Sequence, residues 1–145
     1  MKQEKIIIDA DISNFAVCFN NECPRRNACL RYVAGRQAAS RQNCGYAIFP
    51  SALKEDGCRF YRTAEKVELA YGLHSMKTRI PHYLHATVRR AITHYLGSVG
   101  TYYRYDKGTR KLTPRQQEDI KRMLNELGCP LERPFDHYVK GYDLE

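Results

Sequence analysis

Five cysteines fall within 41 residues, as Cys18-x4-Cys23-x5-Cys29-x14-Cys44-x13-Cys58, and this cluster constrains the fold more than any other feature of the chain. Zinc takes four soft or borderline ligands at a tetrahedral point, and ligands a few residues apart let one turn supply two of them at small loop-closure cost. Cys18 and Cys23 fit such a turn, a helix opened at Pro24 would deliver Cys29, and a returning strand or loop would deliver Cys58 or Cys44. The energetic reason is local. Between Gly35 and Cys58 the chain has little apolar surface, whereas a structural zinc contributes an apparent ~10–16 kcal/mol in small peptides. The spacing is not the paired Cys-x2-Cys knuckle, so other occupancies stay open: an iron–sulfur cluster on three near cysteines and a remote fourth, or thiols that are simply buried or joined as disulfides. Cys129 stands alone beside Pro130 and reads as a core residue.

The remaining totals narrow the setting. A chain of 145 residues with 43% apolar and 28% charged residues suits one domain, 1–145, with a cysteine-rich subregion at 15–62 and a second subregion at 63–145. No segment approaches the roughly 18 consecutive apolar residues of a membrane helix, and the start has too short an apolar run for a signal peptide. The expected compartment is the cytoplasm, where reduced thiols point to metal binding or redox chemistry rather than to structural disulfides.

The pattern along the chain predicts an α+β, helix-rich fold with one β-hairpin. Ile6-Ile7-Ile8 reads as a short strand or extended lead-in, Pro24 to Ala34 as a helix stopped by Gly35, and Tyr46 to Phe49 as a short extended piece. Ala64 to Tyr71 reads as a short helix ended by Gly72. Pro81 to Leu96 gives the strongest helical signal, with Leu84, Val88, Ala91, Ile92 and Tyr95 on one face and Gly97 as the stop. Thr101 to Leu112 is β-prone around Asp106-Lys107-Gly108 and reads as a hairpin, with Tyr103 and Tyr105 on one face and Tyr102 and Arg104 on the other. Thr113-Pro114-Arg115-Gln116 is a capping box opening a helix to Leu127, with a stripe of Ile120, Met123, Leu124 and Leu127. The tail from Pro134 to Leu144 carries Phe135, Tyr138, Val139 and Tyr142, enough apolar area to dock.

At Cys18-Phe19-Asn20, Cys23-Pro24, Cys29-Leu30-Arg31-Tyr32 and Cys58-Arg59-Phe60-Tyr61-Arg62 the sequence resembles a family of small uncharacterised proteins of gut anaerobic bacteria, classed as a domain of unknown function. Ala70-Tyr71-Gly72, Thr101-Tyr102-Tyr103-Arg104, Leu112-Thr113-Pro114 with Gln117 and Ile120, and Phe135-Asp136-x-Tyr138 extend the resemblance over nearly the whole chain from Cys18 onward. The resemblance implies recurrent cysteines at Cys18, Cys23, Cys29 and Cys58, with the position of Cys44 variable, and so favours those four as the ligand set. It implies no activity. Members of that family end in an aromatic pair where this chain has Tyr142-Asp143-Leu144.

Charge supplies the second functional signal. The formal net charge is +8, and residues 75–122 account for all of it, with eleven Lys/Arg against three acids. Within that window Arg89, Arg90, Tyr102, Arg104, Lys107, Arg110, Lys111 and Arg115 form the candidate nucleic-acid surface, because tyrosine rings can stack on bases while cations neutralise phosphates. Tyrosines that pack on a neighbouring helix beside solubilising lysines would give the same composition. The pair His82 and His85 has chelating spacing without a third ligand nearby, and Gly97-Ser98-Val99-Gly100 reads as a helix stop and turn rather than a phosphate loop. No GxSxG, Walker loop, GxGxxG, HExxH or CxxC occurs, and the pairing of Cys129 with His137 as a nucleophile and base has nothing specific behind it. The functional expectation is a zinc-stapled nucleic-acid-binding or regulatory module, loosely like part of a winged or helix-turn-helix arrangement. The alternatives are a non-catalytic protein-interaction module, suited by 11 tyrosines, and an iron–sulfur or redox protein.

Overall fold

Residue 8 and residues 12–145 are described by the structure, a computed structural model; the lead-in expected at Ile6-Ile7-Ile8 lies, apart from Ile8, outside the described residues. The described chain mixes four α-helices with small two-stranded sheets, an α+β fold. It divides into two compact units, one spanning residues 1–65 with 144–145 and one spanning residues 66–143.

The first unit is built around α1 (Leu30–Ala38) and β1 (Val17–Cys18), which pairs in parallel with β2 (Ala47–Ile48). A small antiparallel hairpin, β3 (Leu53–Lys54) and β4 (Gly57–Cys58), carries Cys58. The helix expected from Pro24 to Ala34 is broken in two. A 3-10 turn at Arg26–Ala28 precedes Cys29, which is extended (φ −95°, ψ 120°), bridges to Thr63 and serves as the N-cap residue of α1. Pairing with a strand partner across the unit outweighs helix continuation at that one residue.

Gly35 does not stop the helix either. It sits buried in mid-helix because α1 lies against β1 so closely that a Cβ there would collide with the Cys18 carbonyl oxygen. Among the described residues the buried apolar side chains of this unit are Ile8, Ile12, Phe15, Val17, Cys29, Leu30, Tyr32, Ala34 and Ala38, and none of residues 39–65 is buried.

The second unit has a conventional core. β5 (Val67–Tyr71) and β6 (His137–Gly141) pair antiparallel, from Val67 opposite Gly141 to Tyr71 opposite His137. The expected helix at Ala64 to Tyr71 is therefore a strand. Isolated helices this short are marginal, while here the ladder to β6 and a bridge from Ala70 to Leu112 satisfy the backbone on both sides. The tail docks, as its aromatic content implies.

Three helices follow: α2 (His85–Leu96), entered by a 3-10 turn at His82–Leu84, then α3 (Val99–Lys107) and α4 (Pro114–Glu126). Gly97 ends α2 at φ +105°. The capping box is present in both halves, with Gln116 N–H donating to Thr113 Oγ1 at 3.3 Å and Thr113 N–H donating to Gln116 Oε1 at 2.9 Å.

The hairpin expected at Thr101 to Leu112 is instead α3 and its exit. Ser98 caps the helix by accepting from Thr101 N–H at 3.1 Å, and Gly108 closes it in the left-handed region. At helical spacing Tyr102 and Tyr105 share a face, and both are buried in a core with Leu73, Ile92, Leu112 and Ile120. That burial, about 1.5–3 kcal/mol per large side chain, exceeds the few tenths by which Tyr and Thr disfavour a helix.

Two substitutions test these assignments in urea unfolding. Gly35→Ala should destabilise by roughly 1–3 kcal/mol through the clash with β1; a stabilised variant, as an open helical glycine would give, contradicts the close approach. Thr113→Ala should cost about 1 kcal/mol by removing the cap.

Candidate metal centre

Four of the five clustered cysteines line one small cavity of about 30 Å³ in the first unit: Cys18, Cys23, Cys29 and Cys58. They arrive from four separate places. Cys18 ends β1, Cys23 lies in the turn that follows, Cys29 caps α1, and Cys58 ends the β3–β4 hairpin. Cys44 is exposed and does not line the cavity. Cys129 is buried in the core of the second unit.

The walls of this cavity are tied by polar contacts more than by packing. Arg31, two residues after Cys29, donates from Nε to the Phe60 carbonyl at 2.8 Å and from Nη1 to the Ala16 carbonyl at 2.6 Å. One guanidinium thus binds the segments bearing Cys18 and Cys58 to the helix that follows Cys29. Leu30 N–H to the Arg62 carbonyl (2.6 Å) and Ala64 N–H to the Ala28 carbonyl (3.0 Å) add backbone ties between the same segments. Asn20 N–H donates to Cys18 Sγ at 3.5 Å.

Arg31 is itself informative. Burial pushes its guanidinium below the usual value, Arg62 pushes the same way, and the thiols of Cys29, Cys58 and Cys18 act in the opposite sense. No carboxylate pairs with Arg31 among the described residues. The thiols of Cys29, Cys58 and Cys18 are close enough to this half-buried cation to act on it.

A cavity of this volume holds one atom-sized guest, and four sulfurs of this type suit a tetrahedral ion. As the side chains stand, no group of three or more His, Cys, Asp or Glu among the described residues is arranged to hold a metal. The same holds for His82 and His85, whose rings lie 4.9 Å apart with His85 Nε2 at 3.2 Å from the Ile80 carbonyl.

The candidate nucleic-acid residues lie on the second unit and are redistributed by the helical form of α3. Tyr102 is only 6% exposed, and burial raises its phenol pKa; the strand period would have put it opposite Tyr105, but both rings point inward. Tyr103 takes the outer face at 43% exposure, accepting from Arg89 Nη2 at 2.7 Å. Arg110 lies over Tyr105 and Lys111 over Tyr71, at 5.3 and 5.7 Å from the ring centroids.

Arg90, Arg104, Lys107 and Arg115 are exposed, and among the described residues no carboxylate pairs with them. Of the cations in the basic window, Lys121 and Arg122 pair with Glu118 and Asp119. The signal that would have revealed α3 in the sequence is Ser98 followed by Thr101 at capping distance, with Gly108 at the far end.

One family model matches residues 1–144, described as a family of unknown function, DUF6078. No curated protein and no solved structure matches the chain.

Thiol labelling of the native chain should separate the cysteines by exposure. Cys44 should react first. Cys129, whose thiol pKa is raised by burial, should react last and only as the second unit opens. Equal native rates at Cys44 and Cys129, read by mass spectrometry, would contradict this placement.

Proposed function

Since this chain belongs to DUF6078, a family of unknown function, the reading rests on its own residues, and we propose that it is a nucleic-acid-binding module that engages phosphates through the cations of α2, α3 and the start of α4. The observation that carries this reading is the uncompensated charge. The window 75–122 holds eleven Lys/Arg against three acids, and among the described residues no carboxylate pairs with the exposed Arg90, Arg104, Lys107 or Arg115. A concentration of like charges repels itself unless a polyanion covers it, and phosphate neutralisation with counterion release is the general source of such affinity.

Arg89 supports the reading from beside that set of cations. Its guanidinium is held 5.3 and 5.5 Å from the ring centroids of Tyr102 and Tyr103, so a flat cation and an exposed ring stand together. Joined with Arg90, Arg104 and Lys107 on neighbouring turns, this suits a backbone with unstacked bases better than a smooth duplex.

A second reading, a protein-interaction module, is favoured by a different observation. Tyr46 and Phe49 in the first unit are 65% and 78% exposed, and Phe49 borders an open groove of about 700 Å³. Aromatic side chains so exposed are enriched where proteins meet.

Filter binding with labelled single-stranded and duplex DNA and RNA, over a range of salt, distinguishes the two. We expect log K to fall linearly with log salt. The triple variant Arg90→Glu, Arg104→Glu, Lys107→Glu should weaken binding and reduce the slope by roughly 0.7 for each single-strand phosphate that is no longer neutralised, with an unchanged circular dichroism spectrum. Absence of salt-dependent binding at low ionic strength removes the nucleic-acid reading.

A further inference from the structure

The cavity shared by Cys18, Cys23, Cys29 and Cys58 has features that buried structural thiols do not explain. Only Cys29 is fully buried, while the other three are half-buried around a space of about 30 Å³. Thiols acting as small apolar groups would fill their space and stay out of water. A half-buried guanidinium would also stand beside four neutral groups, with no carboxylate paired to it among the described residues.

We propose that this cavity is a structural zinc site with Cys18, Cys23, Cys29 and Cys58 as thiolate ligands, and that Arg31 is the positioning cation that offsets their charge. Four thiolates on a divalent ion leave a net double negative charge; Arg31 ties the segments bearing Cys18 and Cys58 and opposes that charge, beside Arg26, which also lines the cavity and donates to the Cys23 carbonyl at 3.3 Å. Each ligand gives up its S–H proton to solvent as the ion binds, and no electrons move. The thiols are not converged as they stand, so binding the ion requires the cysteine side chains around the shared cavity to be re-aimed. The inference is independent of the nucleic-acid reading, since its readout is metal rather than binding to DNA or RNA.

The test uses the full chain purified without added metal under reducing conditions. Elemental analysis should give one zinc per chain, with Cys44 the thiol that labels before a chelator is added and Cys18, Cys23, Cys29 and Cys58 labelling after it. Cobalt(II) exchanged into the site should show the intense sulfur-to-metal charge-transfer band and visible bands of a tetrahedral tetrathiolate. Cys44→Ser should keep the metal, and Cys58→Ser should lose it or bind it far more weakly.

Because a ligand variant can simply unfold the first unit, Arg31→Lys and Arg31→Gln give a second route. Zinc affinity should fall roughly 10- to 100-fold in Arg31→Gln and recover in part in Arg31→Lys, as read by competition with a chromogenic chelator. Stoichiometric iron, a disulfide among the four, or four freely reactive thiols with no bound metal in the wild-type chain would each overturn the proposal. So would loss of metal in Cys44→Ser with retention in Cys58→Ser.

Discussion

In the first unit one guanidinium, that of Arg31, ties two separate segments to α1. Residues 39–65 contribute no buried side chain, yet fixing each residue costs roughly 1–2 kcal/mol of backbone entropy, so hydrophobic burial in that stretch does not hold the segment in place. Arg31 reaches across to the carbonyls of Ala16, just before β1, and of Phe60, late in that stretch, and so ties both to α1. Its side chain passes close to the ring of Phe15, with the guanidinium 4.6 Å from the centroid. A metal on the four surrounding thiols, as we propose, acts on the same segments and in the same direction, so the cation and the cysteines reinforce one another.

The second unit is organised in the ordinary way, by burial, with a few polar groups finishing the backbone. Asp136 accepts from the backbone N–H groups of His74 and Ser75 and from the Ser75 hydroxyl, and Asp106 accepts from Leu73 N–H at 2.8 Å. These carboxylates cap the turn between β5 and the helices. Gln117, though buried, donates to the carbonyls of Glu68 and Leu112 at 2.9 and 3.0 Å, so the polar group on the inner face of α4 is satisfied. Glycine takes φ +86° at position 72 without steric cost, and the Asp136 side chain occupies the place a Cβ would take there.

The distribution of charge follows from that core. Once Tyr102 and Tyr105 turn inward, helical geometry leaves Tyr103, Arg104 and Lys107 outside. The acids nearby are engaged in structure: Asp106 holds Leu73 N–H, and Asp119 pairs with Arg122 and accepts from Tyr95 at 2.7 Å. Burial, together with that bond to Asp119, moves the Tyr95 phenol up to about 12. The positive excess in this window is set by composition, eleven Lys/Arg against three acids, and Asp106 and Asp119 are engaged elsewhere than with Arg90, Arg104 or Lys107.

Features set within a few residues were legible in the sequence. The capping box at Thr113 and Gln116, the stop at Gly97, the inward stripe of Ile120 and Leu124, and the poverty of apolar side chains between Gly35 and Cys58 each depend on near neighbours, and the amino-acid order alone determined them. Long-range partners decided the rest. Val67–Tyr71 is a strand because residues 137–141 pair with it, and Tyr102 lies on a helix because a core closed by Leu112 and Ile120 receives its ring. Cys29 breaks a helix because Thr63 bridges to it, and Gly35 lies inside one because β1 leaves no room for a side chain. Spacing alone leaves Cys44 and Cys58 as alternatives and the family resemblance favours Cys58, whereas the shared cavity itself, lined by Cys18, Cys23, Cys29 and Cys58, is a fact of tertiary structure. Local pattern carries backbone preference and cap chemistry over three or four residues, whereas strand or helix, inside or outside, is settled by groups tens of residues away whose burial energy exceeds those preferences.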